Sequence, residues 1–385
     1  MTIKKILILG ALPSSLINFR GELIRKLIHN GYKVTAMAQS SKNESEVIAA
    51  VETLGAQYIP YPVSRSGLNP FADLVTFWTL KKIFERVKPD LILAYTIKPI
   101  IWGGIAARFF SDARFYGLMT GLGFAFQSGG FKRKILTSIV KKLYQSALFN
   151  SPAVIFQNPD NLNTFVENKI VKRNKAFRVH GSGVQLTHFH RTDLSDEAPV
   201  FLTIARLLGE KGLREYAIAG EKVKAIYPNV TFRIVGPEDP SPDGIPIEEV
   251  KKWQQRGYID YLGGANDVRP FIKDCHIFVL ASYHEGMPRT VLEAMAMGRP
   301  ILTTNVPGCK ETVIEGSNGF LVDKASAEQL ANRMIWFIEN REAWQSMADK
   351  SHQLAQERYD VCKVNNELFD IMKLNRSDVK GSDNV

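Results

Sequence analysis

Two glutamates, an arginine and a lysine have the types and the spacing that suit a site for a sugar and a phosphate group. Glu285 follows the apolar run Ile277–Leu280, and seven residues separate it from Glu293. Arg206 and Lys211 lie five positions apart after another apolar run. Carboxylates accept hydrogen bonds from sugar hydroxyls, and arginine and lysine together neutralise a diphosphate. Taken singly, each residue fits a helix cap or a solvated charge, but the four together indicate a ligand site.

The segment 276–306 predicts the elements that would position the two glutamates: a strand, a loop, a helix and a second strand. Pro288 suits the first turn of the helix, and Gly298 ends it. Ligands of open α/β sheets bind beyond the carboxyl ends of the strands, which is where the first glutamate falls. The amides of Gly286 and Met287, just before the helix, suit an anion.

Strand and helix patterns alternate along most of the chain and predict an α/β fold with doubly wound parallel sheets. We place a first Rossmann-like domain at residues 1–185, a second at 198–358 and a disordered tail at 375–385. The first strand is followed by a single glycine, Gly10, before Gly21, so the dinucleotide-binding fingerprint GxGxxG is missing. That absence argues against a nicotinamide cofactor.

The composition is that of an ordinary globular protein, but the charge is unevenly distributed. The 385 residues are 45% apolar and 23% charged, and the three cysteines are too few for a disulfide framework or a zinc site. The net charge is +10, and residues 1–197 hold 26 lysines and arginines against 13 acids. This excess predicts a polyanionic partner, such as an anionic membrane surface or a phosphorylated lipid. The lack of a recognised nucleic-acid module argues against nucleic acid.

The segment 132–148 predicts a basic amphipathic helix. Its apolar residues share one face, and such a helix can lie in the interface of an anionic membrane. The alternative is a helix that packs on its own domain and leaves a solvated basic rim. The residues that we predict at the membrane are Phe131, Lys132, Arg133, Lys134, Lys141 and Lys142.

Ordered motifs in the second half resemble those of the retaining glycosyltransferases of the GT-B fold, family 4. They are Arg206-x4-Lys211-Gly, Glu285-x7-Glu293, Pro307-Gly308-x2-Glu311 and Asn318-Gly319. Four short segments are similar to those of a narrower group within this family. They are YTIKP at 95–99, GLGFAF at 121–126, FQNPD at 156–160 and DVRPFI at 267–272. Members of that group, which includes N-acetylgalactosaminyltransferases, extend polyprenyl-diphosphate-linked saccharides in bacteria.

The resemblance implies a fold, a reaction and a place in the cell. It implies two Rossmann-like domains facing across a cleft, with residues 359–374 packing back on the first. It implies a UDP-sugar donor, retention of the α linkage, no metal and no other cofactor. The acceptor would be a polyprenyl-diphosphate-linked saccharide, met at the cytoplasmic face of the bacterial inner membrane by a peripheral enzyme. A sugar-nucleotide 2-epimerase on the same fold and a catalytically silent nucleotide-sugar-binding protein are the alternatives.

The resemblance also implies roles for individual residues. Arg206 and Lys211 would neutralise the leaving diphosphate, Glu285 would hold the hydroxyls of the donor hexose and Glu293 the ribose. The residues that would complete the donor site are Tyr261 beside the base and the amides of Gly308, Cys309 and Lys310. On the same hypothesis the basic first half, with Arg20 and Lys98, would hold the diphosphate of the acceptor, and Asn18 and Thr120 would also lie on the acceptor side.

Polar residues near the first predicted helix support this acceptor side, and two positions depart from the family pattern. Asn18 and Arg20 suit a phosphate or a sugar, although Asn18 also fits a helix cap. Thr120-Gly121 stands where many members have His-Gly, so a role for that histidine is not carried over. His284 stands where close members have arginine. No acid in the first domain identifies itself as a nucleophile, which favours a front-side attack over a double displacement.

Overall fold

The structure is a computed structural model that describes residues 4–40, 44–64, 69–122, 126 and 131–375, with the backbone alone at 131–133. The chain divides into two compact units, Met1–Ser182 with Cys362–Val385, and Gly183–Val361. The predicted tail lies outside the described residues from position 376 onward. Among the helices described, none combines the length and the apolar character needed to cross a membrane.

The first unit is a parallel sheet with helices on both faces. Its strands are β1 (Lys5–Leu9), β2 (Lys33–Ala38), β3 (Gln57–Pro60), β4 (Leu91–Tyr95), β5 (Arg114–Met119), β6 (Val154–Phe156) and β7 (Ala176–Arg178). Its helices before the second unit are α1 (Pro13–His29), α2 (Glu44–Thr53), α3 (Pro70–Val87), α4 (Ile97–Phe110), α5 (Phe131–Ala147) and α6 (Pro159–Glu167). Within the described residues the strand order is β3-β2-β1-β4-β5-β6-β7.

The second unit repeats this architecture with a parallel sheet of its own. Its strands are β8 (Val200–Ile204), β9 (Thr231–Val235), β10 (Asp260–Tyr261), β11 (Ile277–Leu280), β12 (Ile301–Thr304) and β13 (Gly319–Val322). Its helices are α7 (Leu213–Ile226), α8 (Ile247–Gln255), α9 (Arg269–Lys273), α10 (Arg289–Ala296), α11 (Ala327–Glu339) and α12 (Ala343–Leu354). The strand order is β10-β9-β8-β11-β12-β13.

The strand order fixes where a ligand can bind in each unit. In the second sheet β8 pairs with β9 on one side and with β11 on the other, so the connections turn in opposite directions from β8. Such a switch point leaves a crevice beyond the carboxyl ends of the strands. The predicted fold class, two Rossmann-like units with parallel sheets, is confirmed by this topology.

Three local predictions were wrong or incomplete. Helix α1 begins at Pro13 and not near Asn18. Helix α4 was not predicted, because it is apolar on nearly all sides and contains Gly103 and Gly104. A Cβ at Gly104 would lie 2.5 Å from the carbonyl oxygen of Ala147 in α5, so the close packing of α4 on α5 requires glycine at this position. The same glycine weakens the helical pattern in the sequence. The short strand β7 was also not predicted.

The last helix, α13 (Val361–Met372), belongs to the first unit. Phe369 is fully buried in the core that α1 and the first sheet share. Lys26 of α1 lies 5.2 Å from the centre of its ring, and Tyr116 of β5 donates to the carbonyl oxygen of Met372 at 3.2 Å. The prediction that the chain returns to its first domain is therefore confirmed.

The two points where the chain leaves and re-enters the first unit are bonded to each other. The amide of Val184 donates to the carbonyl oxygen of Tyr359 at 2.7 Å. The amide of Val361 donates to the carbonyl oxygen of Val184 at 3.0 Å. Gly183 has a φ of 73°, and a Cβ there would lie 2.5 Å from Val361 Cα. Position 183 therefore accepts only glycine without displacing the returning chain.

We predict that Phe369→Ala destabilises the first unit by about 3–5 kcal/mol, because it leaves a cavity under a buried helix. Hydrogen exchange of the amides of β1, β2 and β4 measures this directly. Phe71→Ala is the matched control, since that ring is 79% exposed, and we expect a change within about 0.5 kcal/mol. Equal protection in Phe369→Ala and the wild type would contradict the placement of α13.

Candidate active site

The loops that follow β8 and β11 meet at the switch point of the second sheet, where Lys211 on the first loop pairs with Glu285 on the second. Lys211 Nζ donates to Glu285 Oε1 at 2.6 Å. The two side chains are 15% and 16% exposed, so the pair is largely shielded from water. Burial opposes the charged form of Lys211, but the Glu285 carboxylate outweighs it and raises the lysine pKa. Lys211 therefore stays charged over the physiological pH range.

A serine that the sequence analysis did not identify holds the carboxylate in place. Ser282 is fully buried just past β11, and its Oγ donates to Glu285 Oε1 at 2.9 Å. Its carbonyl oxygen accepts a hydrogen bond from Thr304 Oγ1 at 2.5 Å, which ties the loop to β12. The signal was present in the sequence, because a serine directly after an apolar strand and three residues before Glu285 can reach back to that side chain.

Two glycines allow the loops to approach this closely. Gly212 has a φ of 66°, and a Cβ there would lie 2.1 Å from the carbonyl oxygen of Ala281. Gly308 has a φ of 88°, and a Cβ there would lie 2.7 Å from the carbonyl oxygen of Glu285. A side chain at either position would strain the backbone and separate the loops. The loops after β8, β11 and β12 consequently form one continuous lining.

The turn after β12 does not present its amides as predicted. The amide of Gly308 donates to Glu311 Oε2 at 2.7 Å. Those of Cys309 and Lys310 both donate to the carbonyl oxygen of Val306, at 3.1 and 3.0 Å. All three donors are used within the turn, so the structure does not support their predicted contact with a donor sugar or phosphate. Cys309 is fully buried, and burial raises the pKa of its thiol to about 12.

Arg206 lies on the loop after β8, as predicted, but it pairs with an acid on the next loop. Its guanidinium donates to Asp239, which follows β9. Partial burial opposes the charge of Asp239, but hydrogen bonds from Ser241 and the charge of Arg206 lower its pKa. The arginine side chain is 36% exposed. Asp239 was not predicted, and it holds the arginine at the same edge of the sheet as Lys211.

Two further donor-site predictions lie on the same edge of the sheet. Tyr261, at the end of β10, donates from its hydroxyl to the carbonyl oxygen of Gly236 at 3.0 Å, which fixes the chain leaving β9. Gly286 is buried and Met287 is half-buried, and both lie between Glu285 and the start of α10. Their predicted contacts with a base and with an anion stay predictions.

Glu293 is buried in α10, so the alternative of a solvated helix residue is wrong. It is 6% exposed and accepts a hydrogen bond from Arg289 Nε, one turn earlier, at 2.8 Å. Burial raises the pKa of Glu293, and the charge of Arg289 lowers it less than burial raises it. A carboxylate that is this costly to bury is unusual in a structural position.

His284, which departs from the family pattern, lies beside the charged pair. Its Nε2 is 3.3 Å from Glu210 Oε2, which precedes Lys211 in the chain. The amide of Tyr283 also donates to the carbonyl oxygen of Glu210, at 2.8 Å. The residues next to Lys211 and Glu285 therefore add a second link between the same two loops.

Of the predicted acceptor residues, Arg20 is placed differently from our expectation. It is 2% exposed, its guanidinium lies 4.9 Å from the centre of the Tyr95 ring, and its Nη1 donates to Ser182 Oγ at 3.1 Å. Burial within the first unit does not support contact with an acceptor diphosphate. Asn18 is an exposed residue in the interior of α1. The alternative that Asn18 caps this helix is wrong, because the N-cap residue is Leu12.

Lys98 and Thr120 follow neighbouring strands of the first sheet. Lys98 Nζ donates to Asp73 Oδ1 at 2.7 Å and to Ser64 Oγ at 2.8 Å. The side chains of Lys98 and Asp73 are 12% and 14% exposed. The lysine thus joins α4 to α3, which we did not predict. Thr120 is half-buried directly after β5. Its acceptor role stays a prediction.

Tyrosine side chains fill the first turn of the first sheet. The hydroxyl of Tyr61 donates to the carbonyl oxygen of Gly10 at 2.8 Å. A Cβ at Gly10 would lie 2.3 Å from the hydroxyl of Tyr95, which is also hydrogen-bonded to Ser15 at 2.8 Å. The turn that holds a pyrophosphate in dinucleotide-binding proteins is therefore occupied by the protein's own side chains.

Helix α5 forms as predicted, but most of its apolar face packs on its own unit. Val140 and Tyr144 are buried in the core, and Leu136 and Leu143 pack against it. Only Ile135 and Ile139 of the predicted face are exposed, at 47% and 51%. The packed-helix alternative describes this face correctly.

The predicted basic rim of α5 is only partly described. Lys134 and Lys142 are exposed, and Lys141 Nζ donates to Asn168 Oδ1 at 2.5 Å. The side chains of Phe131, Lys132 and Arg133 lie outside the described residues. A role for these cations at an anionic surface stays a prediction.

Two family models match the chain over separate halves. "Glycosyl transferases group 1" matches residues 185–354, which hold the whole cluster around Lys211 and Glu285. "Glycosyl transferase 4-like" matches residues 5–158. The two matches correspond to the second and the first unit.

Relatives and solved structures extend over most of the chain. The N,N'-diacetylbacillosaminyl-diphospho-undecaprenol alpha-1,3-N-acetylgalactosaminyltransferase of Campylobacter jejuni is 28% identical, over 88% of this chain and 91% of its own. The UDP-Gal:alpha-D-GlcNAc-diphosphoundecaprenol alpha-1,3-galactosyltransferase of Escherichia coli is 27% identical, over 73% and 74%. Anabaena Alr3699/HepE in complex with UDP superimposes with a TM-score of 0.77 at 18% identity, over 97% and 100%. Sucrose-phosphate synthase from Thermosynechococcus elongatus superimposes with a TM-score of 0.79 at 17% sequence identity, over 96% of this chain and 98% of its own. The structural likenesses show the fold.

We predict that Glu293→Gln gains stability relative to the wild type as the pH rises. Folding raises the pKa of Glu293 above its ordinary value of 4.5, so the folded protein holds a proton that the unfolded chain has released. The wild type therefore loses stability as the pH rises through this window, and glutamine removes that loss while it keeps an acceptor for Arg289. Urea denaturation of both proteins from about pH 4.5 to about pH 8 measures the difference. Glu248→Gln, at an exposed position of α8, is the control. A difference between Glu293→Gln and the wild type that is independent of pH would contradict the assignment.

Proposed function

Because the chain belongs to the group 1 glycosyltransferases of the GT-B fold, we propose that it moves a hexose or N-acetylhexosamine from a UDP-sugar to an undecaprenyl-diphosphate-linked saccharide. The reaction extends a bacterial surface glycan such as a capsule, an O-antigen or an N-glycan. Two relatives that cover most of the chain are named for transfer to diphospho-undecaprenol-linked sugars, and a similar fold binds UDP. The proposed sugar is N-acetylgalactosamine or N-acetylglucosamine.

The observation that carries this proposal is the buried Lys211–Glu285 pair at the switch point of the second sheet. A UDP-sugar presents hydroxyls next to a diphosphate, and the pair presents a carboxylate next to an ammonium group 2.6 Å away. Arg206, on the same loop as Lys211, adds a second cation. In the proposed complex Glu285 accepts hydrogen bonds from the hexose hydroxyls, and Lys211 and Arg206 hold the diphosphate. Glu293 accepts from the ribose.

The reaction then needs little beyond charge stabilisation and positioning. As the bond from the anomeric carbon to the diphosphate oxygen breaks, negative charge grows on the diphosphate, and Lys211 and Arg206 stabilise it. The acceptor hydroxyl bonds to the anomeric carbon from the same face, so the α configuration is retained. Its proton passes to the departing diphosphate oxygen. No carboxylate nucleophile is required in this front-side route.

We propose that the reaction needs no metal ion, because the two cations supply the charge that a divalent ion would supply. In the described residues, no group of three or more His, Cys, Asp or Glu side chains is placed to hold a metal. The proposed enzyme works as a peripheral protein at the cytoplasmic face of the inner membrane, where its lipid-linked acceptor is present.

Lys211→Met and Glu285→Gln should each lower kcat by about 100-fold or more, since each removes a charged group that contacts the donor. Transfer is measured by mass spectrometry with a panel of UDP-sugars and a short polyprenyl-diphosphate saccharide. Lys251→Met and Glu248→Gln, at exposed positions of α8, are the matched controls. Full activity in both site variants would refute the site, and turnover of UDP-N-acetylglucosamine without acceptor would indicate an epimerase.

Excess EDTA should leave the rate of transfer within about twofold of the untreated rate, since Lys211 and Arg206 carry the charge stabilisation. The assay uses metal-free buffers, and a metal-dependent glycosyltransferase treated in parallel shows that the chelator is effective. Complete loss of activity, restored by a divalent ion, would exclude the metal-independent mechanism.

Ser282→Ala should lower kcat by about tenfold with a smaller effect on the KM for the donor, because it removes a hydrogen bond of about 1.5 kcal/mol that orients Glu285. Steady-state kinetics separate the two constants. Ser282→Cys keeps a weak donor and should recover part of the rate. A wild-type kcat in the alanine variant would show that Glu285 is held without the serine.

A further inference from the structure

Helix α3 exposes large apolar side chains on one face, within the part of the chain that the structure describes. Phe71, Leu74, Val75 and Trp78 are 79%, 52%, 54% and 48% exposed. Their spacing places them along one side of the helix. The opposite side packs into the core of the first unit. An apolar stripe of this length on the water side of a helix indicates a contact outside the unit.

The stripe continues across α4 to the turn after α5. The ring of Trp78 lies 6.2 Å from that of Phe110, which lies 6.3 Å from that of Phe109. Phe109 is 63% exposed, and Arg108 stacks at 4.4 Å over Phe149, which is 66% exposed. We name this the α3–α4 apolar surface, formed by Phe71, Leu74, Val75, Trp78, Phe109 and Phe149.

Cations lie among these rings. Lys81 Nζ is 5.5 Å from the centre of the Trp78 ring and 5.1 Å from that of Phe110. Lys82 and Arg86, on the next turns of α3, are exposed. Aromatic rings bordered by lysine and arginine suit the boundary between the hydrocarbon and the anionic head groups of a bilayer.

The acids of α3 do not reverse this charge. Asp73 is paired with Lys98 at 2.7 Å. Glu85 lies 3.8 Å from Lys81. The surface as a whole therefore keeps an excess of positive charge.

The concentration of exposed apolar side chains is specific to this surface. Among the described residues, fourteen large apolar side chains are exposed, and six of them form the α3–α4 apolar surface. The second unit has four, at scattered positions. They are Ile218, Ile226, Leu262 and Ile314.

We propose that the α3–α4 apolar surface docks the first unit on an anionic bilayer. The rings enter the interface, and Lys81, Lys82, Arg86 and Arg108 contact lipid phosphates. This rests on the proposed function in one respect: a lipid-linked acceptor requires the enzyme to work at a membrane. Among the described side chains on the apolar face of α5, Ile135 and Ile139 are the exposed ones, and the others are buried or partly buried.

A lipid surface fits this region better than a second copy of the chain does. In a two-fold symmetric contact the same patch meets itself, so the cations around the rings would face the same cations. Like charges brought together in this way oppose association. Lipid phosphates instead complement them, and each cation near an anionic surface adds to the attraction.

The test is flotation of the full chain with vesicles of phosphatidylethanolamine and phosphatidylglycerol in a ratio of about 3:1. Leu74→Ser with Trp78→Ser should lower vesicle binding by at least about tenfold, because two interfacial side chains are lost. Ile218→Ser with Ile226→Ser, two exposed positions of α7, is the matched control and should bind as the wild type does. Brominated lipid should quench the emission of the wild type more than that of Trp78→Phe.

Unchanged binding in Leu74→Ser with Trp78→Ser would overturn the proposal. So would a tenfold loss in Ile135→Ser with Ile139→Ser alone, which would favour α5. A wild-type dimer that becomes a monomer in the α3 variant, with unchanged vesicle binding, would identify a self-association surface instead.

Enzyme assays separate this proposal from the proposed function. The α3 variant should keep wild-type turnover of a water-soluble short-chain acceptor and lose at least about tenfold with a long-chain acceptor in vesicles. A wild type that binds vesicles but transfers no sugar would refute the function and leave the docking surface in place. A wild type that transfers sugar in solution but binds no vesicles would refute the docking surface alone.

Discussion

The Lys211–Glu285 pair is the interaction on which the second unit's site depends. Two charges that are shielded from water cannot separate without leaving each other uncompensated, so the loops after β8 and β11 are held together as long as both remain charged. The glycines at 212 and 308 make the approach sterically possible, and Ser282 fixes the direction of the carboxylate. The site is therefore assembled within one unit by the protein's own contacts. Charged groups that are fixed in this way need little reorganisation when charge develops on a neighbouring group.

The two units share an architecture but use their first turns differently. In the first unit the hydroxyls of Tyr61 and Tyr95 occupy the turn after β1, and Arg20 is buried against Tyr95. In the second unit the loop after β8 keeps two cations near the edge of the sheet. The same topology thus produces one unit with a charged crevice and one whose polar groups are largely used internally. Function on this fold is decided by the loops and not by the sheets.

Sequence patterns predicted the fold class and the positions of Arg206, Lys211, Glu285 and Glu293, because strand–loop–helix units place such residues at a known edge. They did not predict the partners. Asp239 lies 33 residues from Arg206 and Ser182 lies 162 residues from Arg20, so neither pairing leaves a local pattern. The amphipathic pattern of α5 was correct, but a pattern does not reveal whether an apolar face meets its own core or a membrane. Helix α4 was missed because a helix buried on most sides has no periodic contrast.

The return of α13 to the first unit determines when that unit can be completed during synthesis. Val364, Leu368, Phe369, Met372 and Leu374 are buried in a core whose other buried members lie before residue 180. A ribosome releases that last helix only after the whole second unit has left the exit tunnel. The second unit can therefore fold as a continuous segment. Until α13 is synthesised and packs on the first sheet, one face of that sheet keeps exposed apolar side chains. Loss of α13 would in consequence destabilise the first unit, most of which is synthesised first, and would leave the second unit intact.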